Sequence, residues 1–376
     1  MKTSRHFALL TLACAALGLS TTTLAHHGFG RFDRSRDAVI TGTITGIDFV
    51  NPHSYLYLDA DTEDGGSVAM RCEMRAATLM RRSGWSKEMF ANGLPVTIYG
   101  FRHRTDPGSC YLENVTIGDA PELNRNDQLE HEGLDISNRG MRLPSGEPNI
   151  FGDWAQEQYV VARPPSGQMV GLVPKSMKAG IESGAIEPVN IPDAGWGRPN
   201  VALTARGERE ASEFEQWSVE DNPRLRCEPT SIIFDWVHDG PVNRVRQEGD
   251  RIVINYGLYS NERVIDMNMT EHPASIEPTF HGHSIGHWED DALVVDTIGF
   301  APGVIAPPVR HSEQLHVVER FRLEENPLRL VREYVATDPV YFAEPYVNSD
   351  TLLVADVEYV KHDCNELTFE FLEFQE

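Results

Sequence analysis

The spacing of apolar and polar residues predicts two successive groups of β-strands in this chain. In the first group, "AVITGTITGI" (38–47) alternates with a period of two, as expected for a strand with one buried face. A helical run, "AATLMRR" (76–82), follows the third strand signal. The other strand signals of this group lie at 54–60, 67–74, 95–101 and 110–117. The order β-β-β-α-β-β is typical of a small Greek-key barrel, so we predict an OB-like β-barrel domain over residues 26–119.

The second group of strands begins near residue 231. Apolar, β-branched runs such as "RIVINYGL", "ALVVDTIGF" and "LRLVREYVAT" are separated by charged turns, with no helical pattern between them. This pattern predicts antiparallel strands, and closure into a barrel would remove the exposed edges of so long a sheet. We therefore predict an all-β protein whose larger domain, residues 149–376, is an antiparallel lipocalin-like β-barrel, with a β-sandwich as the alternative. The polar residues 120–148 are predicted to be a linker.

The first 25 residues have the pattern of a secretory signal peptide. Lys2 and Arg5 precede a short apolar run (7–19), and Thr23 and Ala25 place small residues before a cleavage site. The run is too short to span a bilayer, so we predict that the segment is removed and that the protein is periplasmic or secreted. No later stretch is apolar enough to predict membrane insertion.

Charge and cysteine content narrow the classes of partner. The formal net charge is −24, and a chain this acidic repels nucleic acid and anionic lipid, so we expect neither as a partner. Four of the five cysteines lie beyond the predicted signal, and an even number favours disulfides in an oxidising compartment. We expect the pairs Cys72–Cys110 and Cys227–Cys364, one in each domain, although four cysteines allow three pairings.

Two parts of the chain carry a family resemblance. The segments "GHSIGHWEDDALVVDTIGF" (282–300) and "HSEQLHVVERF" (311–321) resemble a large group of secreted, mostly uncharacterised proteobacterial proteins with "GHSIGxWEGDTLVVDT" followed by "HSExLHVVERF". The front half, with "AHHGFGRFD" (25–33) and "NPH" behind it, is similar to small secreted domains that open with "AHHSFAxFD". The resemblance implies a secreted two-domain β protein. The chain departs from the pattern at Asp290, where glycine is usual, and at His287, where arginine is usual.

Ionisable residues are densest between positions 263 and 320. Alternation in "LHVVERF" places Glu319 on the same strand face as Leu315 and Phe321. If that face is the interior of a barrel, the carboxylate needs a partner, for which Arg263 and Arg320 are the candidates. One interpretation of the whole group is a structural network of ion pairs without a function of its own.

The functional interpretation is acid–base catalysis inside the barrel. We predict that His283 and His311 act as general acid and base and that Asp296 or Glu319 fixes their tautomers, because the ordinary pKa of histidine lies near the working pH. A metal cage is a further interpretation, since "HGHSIGH" (281–287) holds three histidines. Arg263 and Arg320 complete the predicted catalytic set as partners of the carboxylates.

These patterns predict a protein that acts on a hydrophobic small molecule in its C-terminal barrel by non-redox acid–base chemistry, with no cofactor required. The reaction would be of the isomerase, cyclase, hydratase or lyase type. The alternative is a non-catalytic protein that binds such a ligand, or copper. A serine hydrolase is not predicted from "GHSIG" (282–286), because a strand signal follows it where a nucleophile elbow needs a helix. Phosphate-loop, dinucleotide and HExxH motifs are missing from the sequence.

The predicted cleavage site raises a separate possibility for metal binding. Cleavage there would leave His26 as the first residue, with an α-amine and an Nδ1 atom that can chelate one ion. A second imidazole would complete a three-nitrogen site suited to Cu(II). We predict His53, in the "NPHS" turn, as the third ligand, with His27 and His103 as alternatives. The other interpretation is a frayed terminus.

Overall fold

The structure is a computed structural model, and the chain it presents is mostly β. It describes residues 32–136, 139–167, 170–188, 199–216, 218, 220–238, 240–259, 261–325 and 328–361. The strands fall into an N-terminal sheet and a closed C-terminal barrel, which confirms the mostly β character and the barrel closure expected from the sequence. None of the described helices has the length and apolar character needed to cross a membrane.

The N-terminal sheet is built from strands with one buried face. Its elements are β1 (Phe32–Asp48), β2 (Tyr55–Asp61), β3 (Ser67–Glu73), helix α1 (Ala77–Arg82), a 3₁₀ turn (Lys87–Phe90), β4 (Pro95–His103), β5 (Ser109–Ile117) and β6 (Leu123–Asn124). On β1, Ile40 and Ile44 are buried while Val39 and Thr41, on either side of Ile40, are exposed, because successive side chains of a strand face opposite sides. The strands pair in the order β3-β2-β1-β4-β5-β6, and β3 also pairs with β5.

The contact between β3 and β5 is parallel and carries a disulfide. Cys72 and Cys110 are register partners, with Cα atoms 4.4 Å apart, and they form a disulfide, as predicted. Cys227 is also disulfide-bonded, but Cys364 lies outside the described residues, so the second pairing stays a prediction.

The beginning of the predicted linker belongs structurally to the first sheet. Strand β6 pairs with β5, and the Leu129 amide donates a hydrogen bond to the Ser83 carbonyl (2.9 Å).

Helix α1 contacts the C-terminal half through Arg82. The Arg82 guanidinium donates hydrogen bonds to Asp356 (2.7 Å), to the Gly240 carbonyl (3.0 Å) and to the Gln156 carbonyl (2.8 Å). This buried arginine therefore fastens the two halves together.

The C-terminal half is a closed barrel with short helices and hairpins around it. The barrel strands, in order of pairing, are β10 (Val242–Glu248), β11 (Arg251–Asn255), β12 (Glu262–Asp266), β13 (His283–Glu289), β14 (Ala292–Ile298), β17 (His316–Glu325), β18 (Leu328–Thr337), β19 (Tyr346–Val354) and β7 (Gly152–Ala155). Outside it lie the hairpins β8 (Tyr159–Ala162) with β9 (Val170–Pro174) and β15 (Gly303–Ala306) with β16 (Val309–His311), helices α2 (Lys175–Glu182), α3 (Ala205–Glu213) and α4 (Phe234–Val237), and a 3₁₀ turn (Pro223–Arg226).

One pair of barrel strands departs from the predicted antiparallel arrangement. Strands β12 and β13 are parallel, with Ile265 opposite Ser284. The reason is the connection 267–282, which brings the chain back to the end of the barrel at which β12 begins, so that β13 starts from the same end. This connection lies outside the barrel wall and is fixed where the Thr279 carbonyl accepts a hydrogen bond from the Ala301 amide (2.8 Å). The connection carries a histidine, His272, to the outer face of the barrel.

Candidate active site on the outer wall of the barrel

The interior of the barrel, where the sequence predicted a ligand cavity, holds a buried ion network. Glu319 is completely buried and accepts hydrogen bonds from Arg263 Nη2 (2.5 Å) and from Arg332 Nη1 (3.1 Å). Both guanidiniums are buried as well. The inward position of Glu319 and its pairing with Arg263 agree with the sequence prediction, whereas Arg320 faces outward and pairs with Glu289 (2.8 Å).

The remaining donors of the two inner arginines are also used. Arg263 donates to Ser284 Oγ (2.9 Å) and Thr297 Oγ1 (2.7 Å), and Arg332 donates to the Ile232 carbonyl (2.8 Å). Burial alone would lower the pKa of Arg332, but the Asp350 and Glu319 carboxylates outweigh it and raise the pKa. Such a saturated network is typical of a structural core.

Aromatic side chains fill the space beside this network. Trp236 of helix α4 is completely buried, and its ring packs edge-on against Tyr256 (6.0 Å between centroids) and Phe321 (5.8 Å). The Arg332 guanidinium lies 5.4 Å from the same indole ring. Side chains therefore fill the interior of the barrel around Glu319, where the sequence predicted a ligand cavity.

The predicted catalytic residue His283 faces the outside of the barrel. Ser284, its neighbour on β13, is buried and bonds Arg263 inside, so His283 points the other way. The same alternation on β14 turns Thr297 inward and Asp296 outward. The expectation that His283 lies inside the barrel is therefore wrong, because a period of two distinguishes two faces without telling which is the interior.

Four side chains meet on this outer face and form what we call the histidine relay: His272, His283, Asp296 and His316. His272 Nδ1 lies 2.9 Å from His283 Nδ1, and His272 Nε2 lies 2.9 Å from Asp296 Oδ1. His316 Nε2 reaches the two oxygens of the same carboxylate at 3.1 and 3.0 Å. The His272 side chain is 14% exposed, and those of Asp296 and His316 are more open to solvent.

When both imidazoles are neutral, one order of protons satisfies the contacts of the relay. The ionised Asp296 only accepts, so His272 donates to it through Nε2–H. A neutral His272 then has a lone pair on Nδ1, which accepts the Nδ1–H of His283. In that tautomer the Nε2 atom of His283 carries a lone pair and can take up a proton, and the positive charge that results is shared toward the carboxylate.

Local charges support this assignment. Partial burial would raise the pKa of Asp296, but hydrogen bonds from His272 and His316 outweigh it and hold the pKa below its ordinary value. Burial is the largest cause that lowers the pKa of His283, and the opposing charge of Asp266 offsets it only in part. The carboxylate is thus ionised and His283 is neutral at pH 7, as a general base must be.

His311, the predicted partner of His283, lies in a different environment. It is buried at the end of β16, where its ring packs edge-on against Phe300 (6.0 Å) and its Nδ1 lies 3.2 Å from the Ser312 carbonyl. Burial lowers its pKa. The structure therefore does not bring His283 and His311 together as an acid–base pair, and Asp296 serves His272 rather than either of them.

The three histidines of "HGHSIGH" are also separated. His281 stacks on Tyr256 (5.9 Å, 7° between the planes), and burial with the nearby Arg263 lowers its pKa to about 4. His283 belongs to the relay, and His287 is exposed. Across the described ranges, no three or more His, Cys, Asp or Glu side chains are arranged to hold a metal ion.

The residues of the predicted copper site are only partly described. His26 and His27 lie outside the described residues. His53 Nδ1 lies 2.9 Å from Glu73 Oε1, and His103 Nδ1 accepts the amide hydrogen of Asp106 (2.9 Å). The copper site accordingly stays a prediction.

Sequence reasoning missed two members of the relay. In "HSEQLHVVERF", His316 shares a strand face with Val318 and Arg320, but nothing in the pattern assigns it a catalytic role. His272 lies in the irregular connection between β12 and β13, within "MTEHPAS". Only the parallel pairing of these strands brings that connection over β13 and β14, and no local periodicity signals it.

Comparison with known proteins finds one family similarity, limited to the N-terminal part of the chain. Residues 14–109 match a family of unknown function (DUF6152). No curated protein matches the chain. Among solved structures, a complex of TiaS with a tRNA and ATP is 17% identical over 23% of this chain and 19% of that chain, with a TM-score of 0.18. A ZRD-deleted mutant of TiaS in complex with agmatine is 15% identical over 24% of each chain, with a TM-score of 0.18. The chain thus spans under a quarter of these structures, and similarity at this level carries no argument about fold or function.

Proposed function

We propose that the protein is an acid–base catalyst that moves a proton on a hydrophobic small molecule at the outer wall of its barrel. The observation that carries the proposal is the linear array Asp296–His272–His283, joined by two contacts of 2.9 Å. A carboxylate that orients an imidazole, which in turn activates the reacting group, is a recurring catalytic arrangement. The reaction class is non-redox, of the isomerase, cyclase, hydratase or lyase type.

Each member of the relay has a distinct part in this proposal. His283 is the general base, since its Nε2 lone pair takes the substrate proton. His272 is a positioning residue that fixes the tautomer of His283 and passes the developing positive charge toward Asp296. His316 holds the same carboxylate from the other side, at 3.0 and 3.1 Å, which keeps Asp296 in place when a proton arrives on His283.

The first test is the pH dependence of proton abstraction from nitrobenzisoxazole. A base removes the ring C–H proton of this probe, the electron pair of that bond forms the nitrile, and the N–O bond breaks to release a coloured phenolate. We expect the rate to rise with pH and to level off with a midpoint below 6.5, because His283 has its pKa lowered from 6.5 and accepts a proton only when neutral.

Two results would contradict the proposal. One is a midpoint at or above 6.5, and the other is a rate no greater than that of free imidazole at the same concentration. The His287→Gln variant is the matched control, because His287 is an exposed histidine on the same face of β13 without a part in the relay. Its pH profile is expected to follow that of the wild type.

We also propose finer descriptions of the two halves. The N-terminal strands are assigned to an OB-like barrel, which is supported by the parallel closure of β3 on β5 and by helix α1 between β3 and β4. The larger barrel is assigned to a lipocalin-like class because its sheet is closed. It differs from a ligand-binding barrel of that class in that the Glu319 network fills its interior. A periplasmic or secreted location is supported by the signal-like first 25 residues and by the Cys72–Cys110 disulfide.

A further inference from the structure

We propose that a row of three valines beside the relay binds the apolar body of the substrate. The valine row is Val318, Val335 and Val347, on the outer face of β17, β18 and β19. The inference rests on the proposed function and gives it a substrate class: an elongated hydrophobic molecule whose reactive proton lies at one end. The proton-bearing end meets His283, and the rest of the molecule lies across the strands.

The register of the barrel strands places the valine row in line with the relay. Asp296 pairs with Val318, Val318 pairs with Val335, and Val335 pairs with Val347. Side chains of register partners lie on the same face of a sheet. A straight line across the sheet therefore starts at the relay carboxylate and continues over three apolar side chains.

Val335 and Val347 are open to solvent, Val318 is half-buried, and polar residues border the valine row. Val335 is 40% exposed and Val347 is 68% exposed. On one side, Arg320, Glu333 and Ser349 form the next row of outward residues, and on the other side His316 pairs with Thr337. An apolar strip one residue wide between polar rows matches a narrow molecule whose length lies across the strands.

The dimensions of the sheet give the length of that molecule. Neighbouring strands lie about 4.8 Å apart, so the four steps from β13, which carries His283, to β19, which carries Val347, span about 19 Å. A second copy of the chain fits the strip poorly, because a stable protein interface buries more than about 1,000 Å² and the strip is one residue wide. A lipid surface fits poorly too, since the chain has a net charge of −24.

The test uses decanol as the probe, followed by the amide resonances of the isotopically labelled protein. We expect saturable shifts of the amide resonances, centred on the valine row. The double variant Val335→Asp/Val347→Asp is expected to bind decanol at least about tenfold more weakly, because bound decanol would cover carboxylates that must stay hydrated. The control is Val39→Asp, a comparably exposed valine of the N-terminal sheet (60%), whose affinity is expected to equal that of the wild type.

Three outcomes would overturn the valine row as the binding surface. They are unchanged decanol affinity in the double variant, shifts centred on another face, and self-association of the wild type that Val347→Asp abolishes, which would assign the strip to a second copy.

His283→Gln separates this inference from the proposed function. That variant is expected to bind decanol normally, so a loss of proton abstraction in it bears on catalysis alone.

Discussion

Replacing His283 with glutamine is expected to lower the rate of proton abstraction from nitrobenzisoxazole by about 100-fold or more. Glutamine keeps the approximate size and polarity of the side chain but has no basic nitrogen. His283 lies at the outer end of the relay, with its ring 2.9 Å from His272, so the change removes the accepting atom and leaves the remaining relay in place. The rate is measured at about pH 7.5, above the ordinary pKa of histidine, on a protein whose thermal unfolding matches that of the wild type.

Three further variants separate a catalytic histidine from a structural one. The rate of Asp296→Asn is expected to lie between the rates of the wild type and of His283→Gln. The neutral amide no longer stabilises the cation that forms on the relay. His287→Gln and His311→Gln are expected to retain the activity of the wild type, since neither residue contacts the relay. Equal rates in His283→Gln and His287→Gln would refute the role assigned to His283.

Replacing Glu319 with alanine is expected to lower the free energy of unfolding by about 3–5 kcal/mol. The change leaves Arg263 buried without its carboxylate partner, while Arg332 keeps its ion pair with Asp350. An unpaired buried cation is costly because the interior cannot solvate it as water does. Urea unfolding followed by tryptophan fluorescence reports the loss, since Trp236 lies against Arg332.

The neighbouring ion pair supplies the control for this effect. Arg320 is adjacent in sequence but faces solvent, where it pairs with Glu289. Arg320→Ala is therefore expected to change the free energy of unfolding by less than about 1 kcal/mol. Similar losses in Glu319→Ala and Arg320→Ala would mean that the inner carboxylate is not the buried bridge described above.

The strands of the larger half were largely predictable because their physics is local. Alternation in "ALVVDTIGF" and "LHVVERF" placed Glu319 on the face of Leu315 and Phe321, and the structure buries all three. The need to pair that carboxylate pointed to Arg263. Closure of the barrel followed from the number of strands and the cost of open edges.

The candidate site was not predictable in the same way because it depends on long-range topology. Period-two alternation left open which face of β13 is the interior, and Ser284 rather than His283 turned out to face Arg263. The second arginine of the inner network, Arg332, lies on the next strand and was missed. His272 joins the site only because the connection 267–282 crosses the outer wall, which follows from the parallel pairing of β12 and β13.

Nuclear magnetic resonance can directly observe the hydrogen bond between the imidazoles of His272 and His283. In protein labelled with nitrogen-15, we expect a scalar coupling between Nδ1 of His272 and Nδ1 of His283 through one shared proton. Near neutral pH, the chemical shift of Nε2 of His283 is expected to be that of a ring nitrogen without a proton. Asp296→Asn is expected to weaken the coupling, and His287→Gln to leave it unchanged. A His283 ring that carries its proton on Nε2 and shows no coupling to His272 would contradict the relay.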